Sequence, residues 1–319
     1  LHTYTNAMLS FDRSTIRDRI VTFKSFDKSP GKKLLWRLSQ LSYLQVYPRV
    51  PYVRIEFIRK LGNIPNLKEI LKNFDLNGAR FSIANSYYDY TNHRGNWYVD
   101  FANEHLGGGV FSDGFVQEEK MCFVFPELMI MCDLARRGNY ERIDPEIPIY
   151  ENRSGAILIT NLLKALVSEG TNEMDNFYGN IDNPKYFING NLSGACVKPV
   201  VTHSYVNIIA LDAKRLDSKH TEVSVFTLIT YITKAFNGFS AARSYDRDYG
   251  IMHTVIHSGA WGTGAFNNKL YTMLAVQVIA AVLANVELVF YLKDTKDNVN
   301  LPNLIYRKVR NIIDQIISI

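Results

Sequence analysis

A run of three glycines lies a few residues before two adjacent carboxylates, and these residue types can do chemistry together. Residues 107–109 are all glycine, and Glu118 and Glu119 follow them. Glycine has no Cβ and adopts positive φ readily, so a glycine run can press its backbone N–H groups against an anion. A glutamate can give or take a proton at a reacting oxygen. The stretch therefore predicts a phosphate-holding loop beside an acid–base group.

The elements around this stretch are those that such a loop requires. Residues 97–102 are rich in aromatic and β-branched side chains and predict a strand, and residues 118–136 predict a helix. A second glycine-rich stretch, 259–266, precedes a long apolar helix whose N-terminus also attracts an anion. A glycine cluster alone is usually only a turn, but two such loops with an acidic pair favour a ligand site.

The order of these residues resembles the signature of the poly(ADP-ribose) glycohydrolase family. In that signature V-D-F-A-N is followed by G-G-G, a short loop and Q-E-E, and residues 99–119 carry all of these parts. The match continues into F-V-F-P-E-L at 123–128. Residues 257–266 resemble the family's T-G-N-W-G-C-G-A-F loop, and residues 210–213 resemble a strand that ends in A-x-D-A. The resemblance covers roughly residues 75–295 and implies an α/β, macrodomain-like mixed sheet flanked by helices.

The resemblance implies a role for each residue of the signature. Glu119 would be the general acid that protonates the leaving ribose hydroxyl and then the base toward water, while Glu118 would position the ribose. On a helix these neighbours point about 100° apart, so they cannot flank one bond and must have different roles. Asn103 would hold a ribose hydroxyl, and Gln117 would order the loop. The other residues implied to bind substrate in the two loops are Gly107, Gly108, Gly109, Val116, Gly262, Gly264, Ala265 and Phe266.

Three further positions have two interpretations each. Asp100 matches a family residue that contacts the adenine end, but it could instead cap the loop that follows. Tyr178, or Tyr186 in the same long loop, would stack on the adenine, because a flat π-face excludes water from it. Tyr291 stands where the family has a Phe near the ribose, and an ordinary core aromatic is the alternative.

The sequence departs from the family pattern at several places. Ala260 stands where the family usually has Asn, Lys293 where an aromatic residue commonly packs, and residues 267–269 replace a G-G-D-like turn. The resemblance implies hydrolysis of the ribose–ribose O-glycosidic bonds of poly(ADP-ribose) with release of ADP-ribose. The departures favour an alternative, a mono-ADP-ribosyl protein hydrolase on the same scaffold. A non-catalytic ADP-ribose binding macrodomain is the third interpretation, and the intact glutamate pair argues against it.

Composition, net charge and cysteine count indicate which classes of partner and which compartment to expect. The 319 residues are 47% hydrophobic and 21% charged with a net charge of +5, so they can bury a large core and favour an anionic partner. We expect poly(ADP-ribose) or an ADP-ribosylated protein as partner, with no direct DNA binding and no membrane. Three cysteines without metal-ligand spacing favour neither a disulfide framework nor a zinc site, and indicate a soluble protein of a reducing compartment, cytoplasm or nucleus. We expect no metal and no cofactor, and the start at Leu1 without an initiator Met suggests a trimmed or processed form.

Other chemical arrangements are weaker. His253 and His257 have i,i+4 spacing, but residues 251–257 predict a strand, where they would share a polar face without forming a helical zinc pair. Ser112 lacks the glycine frame of a nucleophile elbow, which argues against a serine hydrolase. The glycines of 259–264 lack the downstream acidic residue of a dinucleotide-binding fold.

Apolar periodicity organises the chain into two parts. Residues 1–75 predict a helical N-terminal extension, and residues 76–319 predict the macrodomain-like catalytic domain, the two forming one compact unit. Residues 80–84 and 97–102 predict strands joined as a hairpin. The apolar stretch 273–292 carries Gln277, Asn285 and Glu287, and predicts a buried helix that runs into a strand rather than a membrane span.

Overall fold

The fold is that of a computed structural model, which describes residues 6–49 except 25 and 27, 55–136 except 92, 155–168, 187–188, 191–192, 197–200, 204–218, 221–293 and 300–319. Its helices are α1 (Arg13–Thr22), α2 (Pro30–Val46), α3 (Leu67–Lys72), α4 (Gln117–Val124), α5 (Pro126–Arg136), α6 (Val225–Asp248), α7 (Leu270–Ala284) and α8 (Leu301–Ser318). Its strands are β1 (Asn6–Phe11), β2 (Ile55–Leu61), β3 (Phe81–Ala84), β4 (Asn96–Asp100), β5 (Gly155–Leu163), β6 (Leu166–Ser168), β7 (Phe187–Ile188), β8 (Asn191–Leu192), β9 (Val197–Pro199), β10 (Tyr205–Ala210), β11 (Val255–Gly259) and β12 (Glu287–Tyr291).

Eight of these strands form one mixed sheet in the order β1-β2-β5-β10-β4-β11-β12-β3. The strands from β10 to β3 run parallel to their neighbours, whereas β1, β2, β5 and β10 are joined antiparallel. Side chains alternate across β4, so that Tyr98 lies in one hydrophobic core while Trp97 and Val99 lie in the other. Helices α1, α2, α4 and α5 line the first core, and α3, α6, α7 and α8 line the second. The mixed sheet between two helical layers confirms the predicted fold class.

The first 75 residues are not wholly helical, and that part of the prediction is wrong. β1 pairs with β2, and β2 pairs antiparallel with β5, with Ile58 opposite Leu158. The pairing has a physical reason, because β5 would otherwise leave a row of backbone N–H and C=O groups unpaired at the sheet edge. The division of the chain into two units near residue 75 stays a prediction.

The predicted hairpin between β3 and β4 is also wrong. β4 lies between β10 and β11, while β3 lies at the far edge of the sheet and pairs parallel with β12, Phe81 opposite Leu288. The connection does not form a tight turn, because its tyrosines pack into the molecule. The ring of Tyr88 lies 5.4 Å from that of Tyr98, and the ring of Tyr90 lies 5.1 Å from that of Phe125.

The single helix predicted over 118–136 is two helices. α4 ends at Val124 and α5 begins at Pro126, because proline has no backbone N–H with which to continue the hydrogen-bond ladder. The Phe125 N–H still donates to the Met121 carbonyl at 2.8 Å, and the Ala165 N–H donates to the Val124 carbonyl at 2.9 Å. The break therefore leaves these backbone groups satisfied.

Helix α7 is buried and is followed by β12, as the sequence predicts. The side chain of Gln277 is fully buried, accepts from the Ser258 hydroxyl, and donates to the carbonyls of Gly259 at 3.1 Å and Met273 at 3.0 Å. The polar residue in this apolar helix thus ties α7 to the end of β11. Within the described ranges, no helix combines the length and apolarity that crossing a bilayer would need.

Candidate active site

The two glycine-rich stretches follow neighbouring parallel strands. Residues 101–116, the first loop, follow β4, and residues 260–269, the second loop, follow β11. Because β4, β11 and β12 are parallel and adjacent, their carboxyl ends meet at one edge of the sheet. This edge is where open α/β sheets bind ligands.

Glu119 is held by backbone N–H groups at both of its carboxylate oxygens. It occupies the third position of α4, and its Oε2 accepts from the Val116 N–H at 2.7 Å, which is one half of a capping box. Its Oε1 accepts from the Gly109 N–H, also at 2.7 Å. The side chain is only 4% exposed. The start of α4 and the first loop together fix the direction of this carboxylate.

Glu118 is held in the same way by other N–H groups of the first loop. Its Oε2 accepts from the Asn103 N–H at 2.9 Å, and its Oε1 accepts from the Gly107 N–H at 2.5 Å. Burial, followed by the negative charge of Asp100, raises the pKa of Glu118 well above its usual range. The two glutamates therefore have separate backbone partners.

The glycine triplet admits these carboxylates. A Cβ on Gly108, whose φ is +44°, would lie 2.6 Å from Glu118 Oε2 and 2.8 Å from Glu119 Oε1. The N–H groups of Gly107 and Gly109 bind the glutamates, and the Gly108 N–H donates to the His105 carbonyl at 2.9 Å. The triplet was predicted to turn its N–H groups toward a diphosphate, but here they are engaged within the protein. Glycine is needed because side chains would collide with the carboxylates.

Asp100 ends β4 with a fully buried side chain. Neither of its carboxylate oxygens has a hydrogen-bond partner among the described residues. Burial and, to a smaller extent, the charge of Glu119 raise the pKa of Asp100 to about 8. Its side chain therefore does not cap the loop, and a buried acceptor without a partner suits a ligand that brings a donor.

Gln117 fastens the start of α4 to the end of β4. Its Oε1 accepts from the Phe101 N–H at 2.9 Å, and its Nε2 donates to the Val99 carbonyl at 3.1 Å. The Asn103 side chain is half-buried, and its Oδ1 accepts from the His105 N–H at 3.0 Å. The two hydrogen bonds of Gln117 order the start of the first loop, which is the role predicted for it. Contacts of Gln117 or Asn103 with substrate stay predictions.

The second loop has its own support. Trp261 is fully buried, and Gly262 has a φ of +71°, where a Cβ would lie 2.7 Å from the Cβ of Ala213. The side-chain amide of Asn268 donates to the carbonyls of Gly262 and Lys214, both at 3.0 Å. The sequence does not predict Asn268 as a site residue. The signal that could have found it is that residues 267–269 replace the family's G-G-D-like turn.

The tip of the second loop keeps backbone donors available. Gly264 and Ala265 are exposed and Phe266 is half-buried. The backbone N–H groups of these three residues have no hydrogen-bond partner in the part of the chain that the structure describes. They lie just ahead of α7, where an anion is favoured. The tip of the second loop therefore has unengaged backbone donors, whereas the N–H groups of the glycine triplet are engaged within the protein.

Tyr291 lies at the end of β12 and is half-buried. Its hydroxyl lies 3.0 Å from Nδ1 of His257, whose ring stacks on Tyr98 with centroids 4.4 Å apart. Burial lowers the pKa of His257 to about 4, so this imidazole is neutral at pH 7. His253 precedes β11, is exposed and pairs with Glu287 at 3.1 Å, so the expected shared strand face of the two histidines is wrong. Tyr291 is thus neither freely mobile nor an ordinary core residue.

The adenine-stacking residue remains a prediction. Tyr178 and Tyr186, the two tyrosines proposed for this role, lie outside the described residues. Among the residues that the structure covers, no group of three or more His, Cys, Asp or Glu side chains is arranged to hold a metal ion.

One charged residue of the N-terminal segment reaches the first loop and another binds α5, and neither was predicted. Lys32 of α2 is 1% exposed and directs its ammonium at backbone carbonyls of the first loop. Its place three and four residues before the buried Leu35 and Trp36 was the signal that it faces inward. Arg13 of α1 binds Glu127 of α5 at 2.7 Å, and both are buried. The N-terminal segment therefore contributes to the support of the site.

Known proteins similar to this chain share one family name. The chain is 28% identical over 197 residues to poly(ADP-ribose) glycohydrolase 1 of Caenorhabditis elegans, an alignment that covers 59% of this chain and 22% of that protein. It is 26% identical over 207 residues to poly(ADP-ribose) glycohydrolase 2 of the same organism, which covers 60% of this chain and 36% of the relative. The chain thus spans well under half the length of these relatives.

Solved structures of the same name were also found. The poly(ADP-ribose) glycohydrolase of Thermomonospora curvata superposes with a TM-score of 0.43 at 14% identity, over 78% of this chain and 85% of that chain. The enzyme of Deinococcus radiodurans in complex with ADP-ribose gives a TM-score of 0.38 at 13% identity, over 77% and 92%.

A family model matches most of the described sheet. The model of the poly(ADP-ribose) glycohydrolase catalytic domain, of macro domain fold, matches residues 75–137 and 156–299, more than half of the chain. The match includes both loops and all of the predicted site residues. The chain therefore belongs to the poly(ADP-ribose) glycohydrolase family.

Proposed function

We propose that the protein hydrolyses the ribose–ribose O-glycosidic bonds of poly(ADP-ribose) and releases ADP-ribose. Family membership supports the proposal, and one observation carries it. Glu118 and Glu119 are buried next to each other, and every one of their carboxylate oxygens accepts a backbone N–H from the first loop or the start of α4. Such fixed carboxylates suit a reaction in which a proton must be delivered to one oxygen atom.

Glu119 is the general acid and base of this mechanism. It protonates the leaving ribose oxygen as positive charge develops at the anomeric carbon. Each Glu119 oxygen accepts one backbone N–H, and because a carboxylate oxygen has two acceptor sites, a site remains for the proton or the substrate. After the leaving ribose departs, the same carboxylate takes a proton from the attacking water.

Glu118 and Asp100 position the substrate. The raised pKa of Glu118 favours its neutral form, which can donate a hydrogen bond to a ribose hydroxyl as well as accept one. The buried oxygens of Asp100 suit the amino group of the adenine. The diphosphate then lies against the N–H groups of Gly264, Ala265 and Phe266 at the tip of the second loop.

A second candidate function is the removal of single ADP-ribose units from proteins. The ammonium of Lys293 lies 4.5 Å above the ring of Tyr87, which is 44% exposed. Lys293 follows β12 and so places a positive charge at the same sheet edge as the two loops. Together with the small Ala260 in the second loop, this charge favours an acidic target protein. A binding module without activity is disfavoured, because it has no need of two fixed glutamates.

We also infer a reducing compartment, cytoplasm or nucleus, and a partner that is poly(ADP-ribose) itself or an ADP-ribosylated protein. The compartment is inferred from the three cysteines of the sequence, which suggest neither a disulfide framework nor a metal-ligand pattern. No direct DNA binding and no membrane partner form part of this proposal.

Product analysis by mass spectrometry tests the proposal. The wild-type protein is incubated separately with poly(ADP-ribose) and with mono-ADP-ribosylated proteins. Release of ADP-ribose from the polymer is expected. Release from mono-modified protein alone would favour the second candidate, and binding of ADP-ribose without release from either substrate would favour a binding module.

A further inference from the structure

Helix α2 places a buried lysine inside the first loop. The helix begins after Ser29, whose hydroxyl accepts from the Lys32 N–H, and Lys32 lies on the same face as the buried Leu35, Trp36 and Ser39. Buried lysines are rare because the ammonium must leave water, so one that is kept needs strong partners. The partners of Lys32 are in the first loop.

The ammonium of Lys32 lies within hydrogen-bonding distance of four backbone carbonyl oxygens. They belong to Gly109 at 3.0 Å, Val110 at 2.9 Å, Ser112 at 2.5 Å and Gly114 at 2.6 Å. An ammonium has three N–H donors, so these four carbonyls surround it as oxygen ligands surround a cation. The bonds carry a full charge and are stronger than bonds between neutral groups.

Two of these carbonyls lie on, or two residues from, the residues whose N–H groups bind Glu119. The Gly109 N–H binds Glu119 Oε1, and the carbonyl of the same residue binds Lys32. The carbonyl of Gly114 binds Lys32 two residues before Val116, whose N–H binds Glu119 Oε2. Gly109 and Gly114 also lie against each other, since a Cβ on Gly109 would come within 2.9 Å of the Gly114 Cα. Lys32 thus fixes residues 109–114, the segment that lies between the two N–H donors of Glu119.

The same contacts set the direction of further donors. In a trans peptide the C=O and the next N–H point to opposite sides. The carbonyls of Ser112 and Gly114 point to Lys32, so the N–H groups of Asp113 and Phe115 point away from it. Neither N–H has a hydrogen-bond partner among the described residues. Lys32 therefore sets the orientation of these two peptides as well as that of the donors to Glu119.

We propose that Lys32 is a positioning residue for Glu119: its ammonium holds the first loop in the conformation that orients the general acid. The proposal rests on the glycohydrolase function proposed above. Residue 32 precedes the part of the chain that the family model matches, which begins at residue 75. The N-terminal segment, which contains none of the predicted site residues, is thereby required for turnover.

The test compares Lys32→Met with Lys33→Met, the same change at an exposed neighbour on α2. We expect Lys32→Met to lower kcat on poly(ADP-ribose) about 100-fold, because a small displacement of a catalytic group has an effect of this size. Lys33→Met should retain wild-type kcat. Because Lys32 acts through Glu119, adding Lys32→Met to Glu119→Gln should cause little further loss.

Chemical rescue separates positioning from general stability. In Lys32→Ala, propylammonium supplies the missing carbons and the charge, and it should restore kcat, whereas propanol of similar size should not. If Lys32→Met stays within about twofold of wild type, the proposal is overturned. It is also overturned if propylammonium fails to raise kcat of Lys32→Ala. If wild type and Lys33→Met are both inactive on the polymer, the proposed function fails instead.

Discussion

The first and second loops look alike in sequence and differ in what their backbone does. In the first loop, the N–H groups of the glycine triplet are engaged within the protein, and four carbonyls face Lys32. In the second loop, Trp261 and Asn268 support the base, while the N–H groups at 264–266 remain without a partner among the described residues. In the first loop, glycine allows the carboxylates of Glu118 and Glu119 to approach the backbone closely. In the second loop, the backbone N–H groups at 264–266 stay free to donate. Under the proposed function, the first loop serves proton transfer and the second serves ligand binding.

The largest effect that sharpens this comparison is expected from Gly108→Ala. The added Cβ would lie under 3 Å from both glutamate carboxylates and would occupy a φ of +44°, so at least one carboxylate must move. We expect kcat on poly(ADP-ribose) to fall about 100-fold, measured by initial rates. Gly78→Ala, where a Cβ meets nothing within 4 Å, is the matched control. A wild-type rate for Gly108→Ala would mean that the carboxylates do not depend on the loop.

A smaller effect of another kind is expected from Gly262→Ala. The change strains a φ of +71° and brings a Cβ within 2.7 Å of the Ala213 Cβ, so the second loop must shift. We expect the Kd for ADP-ribose, measured by calorimetry, to rise about tenfold, which corresponds to about 1.4 kcal/mol. The change in kcat should be smaller than for Gly108→Ala. A loss of kcat with unchanged Kd would break the distinction between the two loops.

The smallest effect concerns the pH dependence of stability. Burial raises the pKa of Asp100 to about 8 in the folded protein, whereas its pKa in the unfolded chain is about 4. Between these values the folded protein keeps a proton that the unfolded chain releases, so this group makes the free energy of unfolding fall as pH rises. Asp100→Asn should remove that contribution, up to about 1.4 kcal/mol per pH unit.

Chemical denaturation of wild type and Asp100→Asn at about pH 5 and about pH 8 checks this prediction. The exposed Asp113 lies in the first loop, which follows Asp100, and Asp113→Asn serves as the control. The free energy of unfolding of wild type should fall relative to that of Asp100→Asn as the pH rises from about 5 to about 8. A difference that stays constant would show that Asp100 is not buried as described.

Local features of the site could be predicted from the sequence. Glu119 at the third position of a helix, just behind a glycine loop, is a short-range pattern, and α4 begins at Gln117 as that pattern requires. The buried α7 and the strand after it were likewise predictable from a long apolar stretch in which Glu287 is the one charged residue. These elements are specified by neighbours along the chain.

Partners across the fold could not be predicted in this way. β3 and β4 are recognisable strands, but their separation by β11 and β12 depends on non-local pairing. Lys32 is separated from Gly109 by 77 residues, and only tertiary contact shows that the lysine faces the loop. The use of the glycine N–H groups also depends on where the glutamates turn, which glycine spacing alone does not determine.

The most direct test of the central claim is the effect of Glu119→Gln on turnover and binding measured together. Glutamine keeps the shape but cannot transfer the proton, so kcat on poly(ADP-ribose) should fall about 10²–10⁴-fold, while the Kd for ADP-ribose stays within about threefold of wild type. Glu104 is exposed in the first loop, and Glu104→Gln should match wild type in both. If Glu119→Gln releases ADP-ribose from the polymer at the wild-type rate, Glu119 is not the general acid and the account is contradicted.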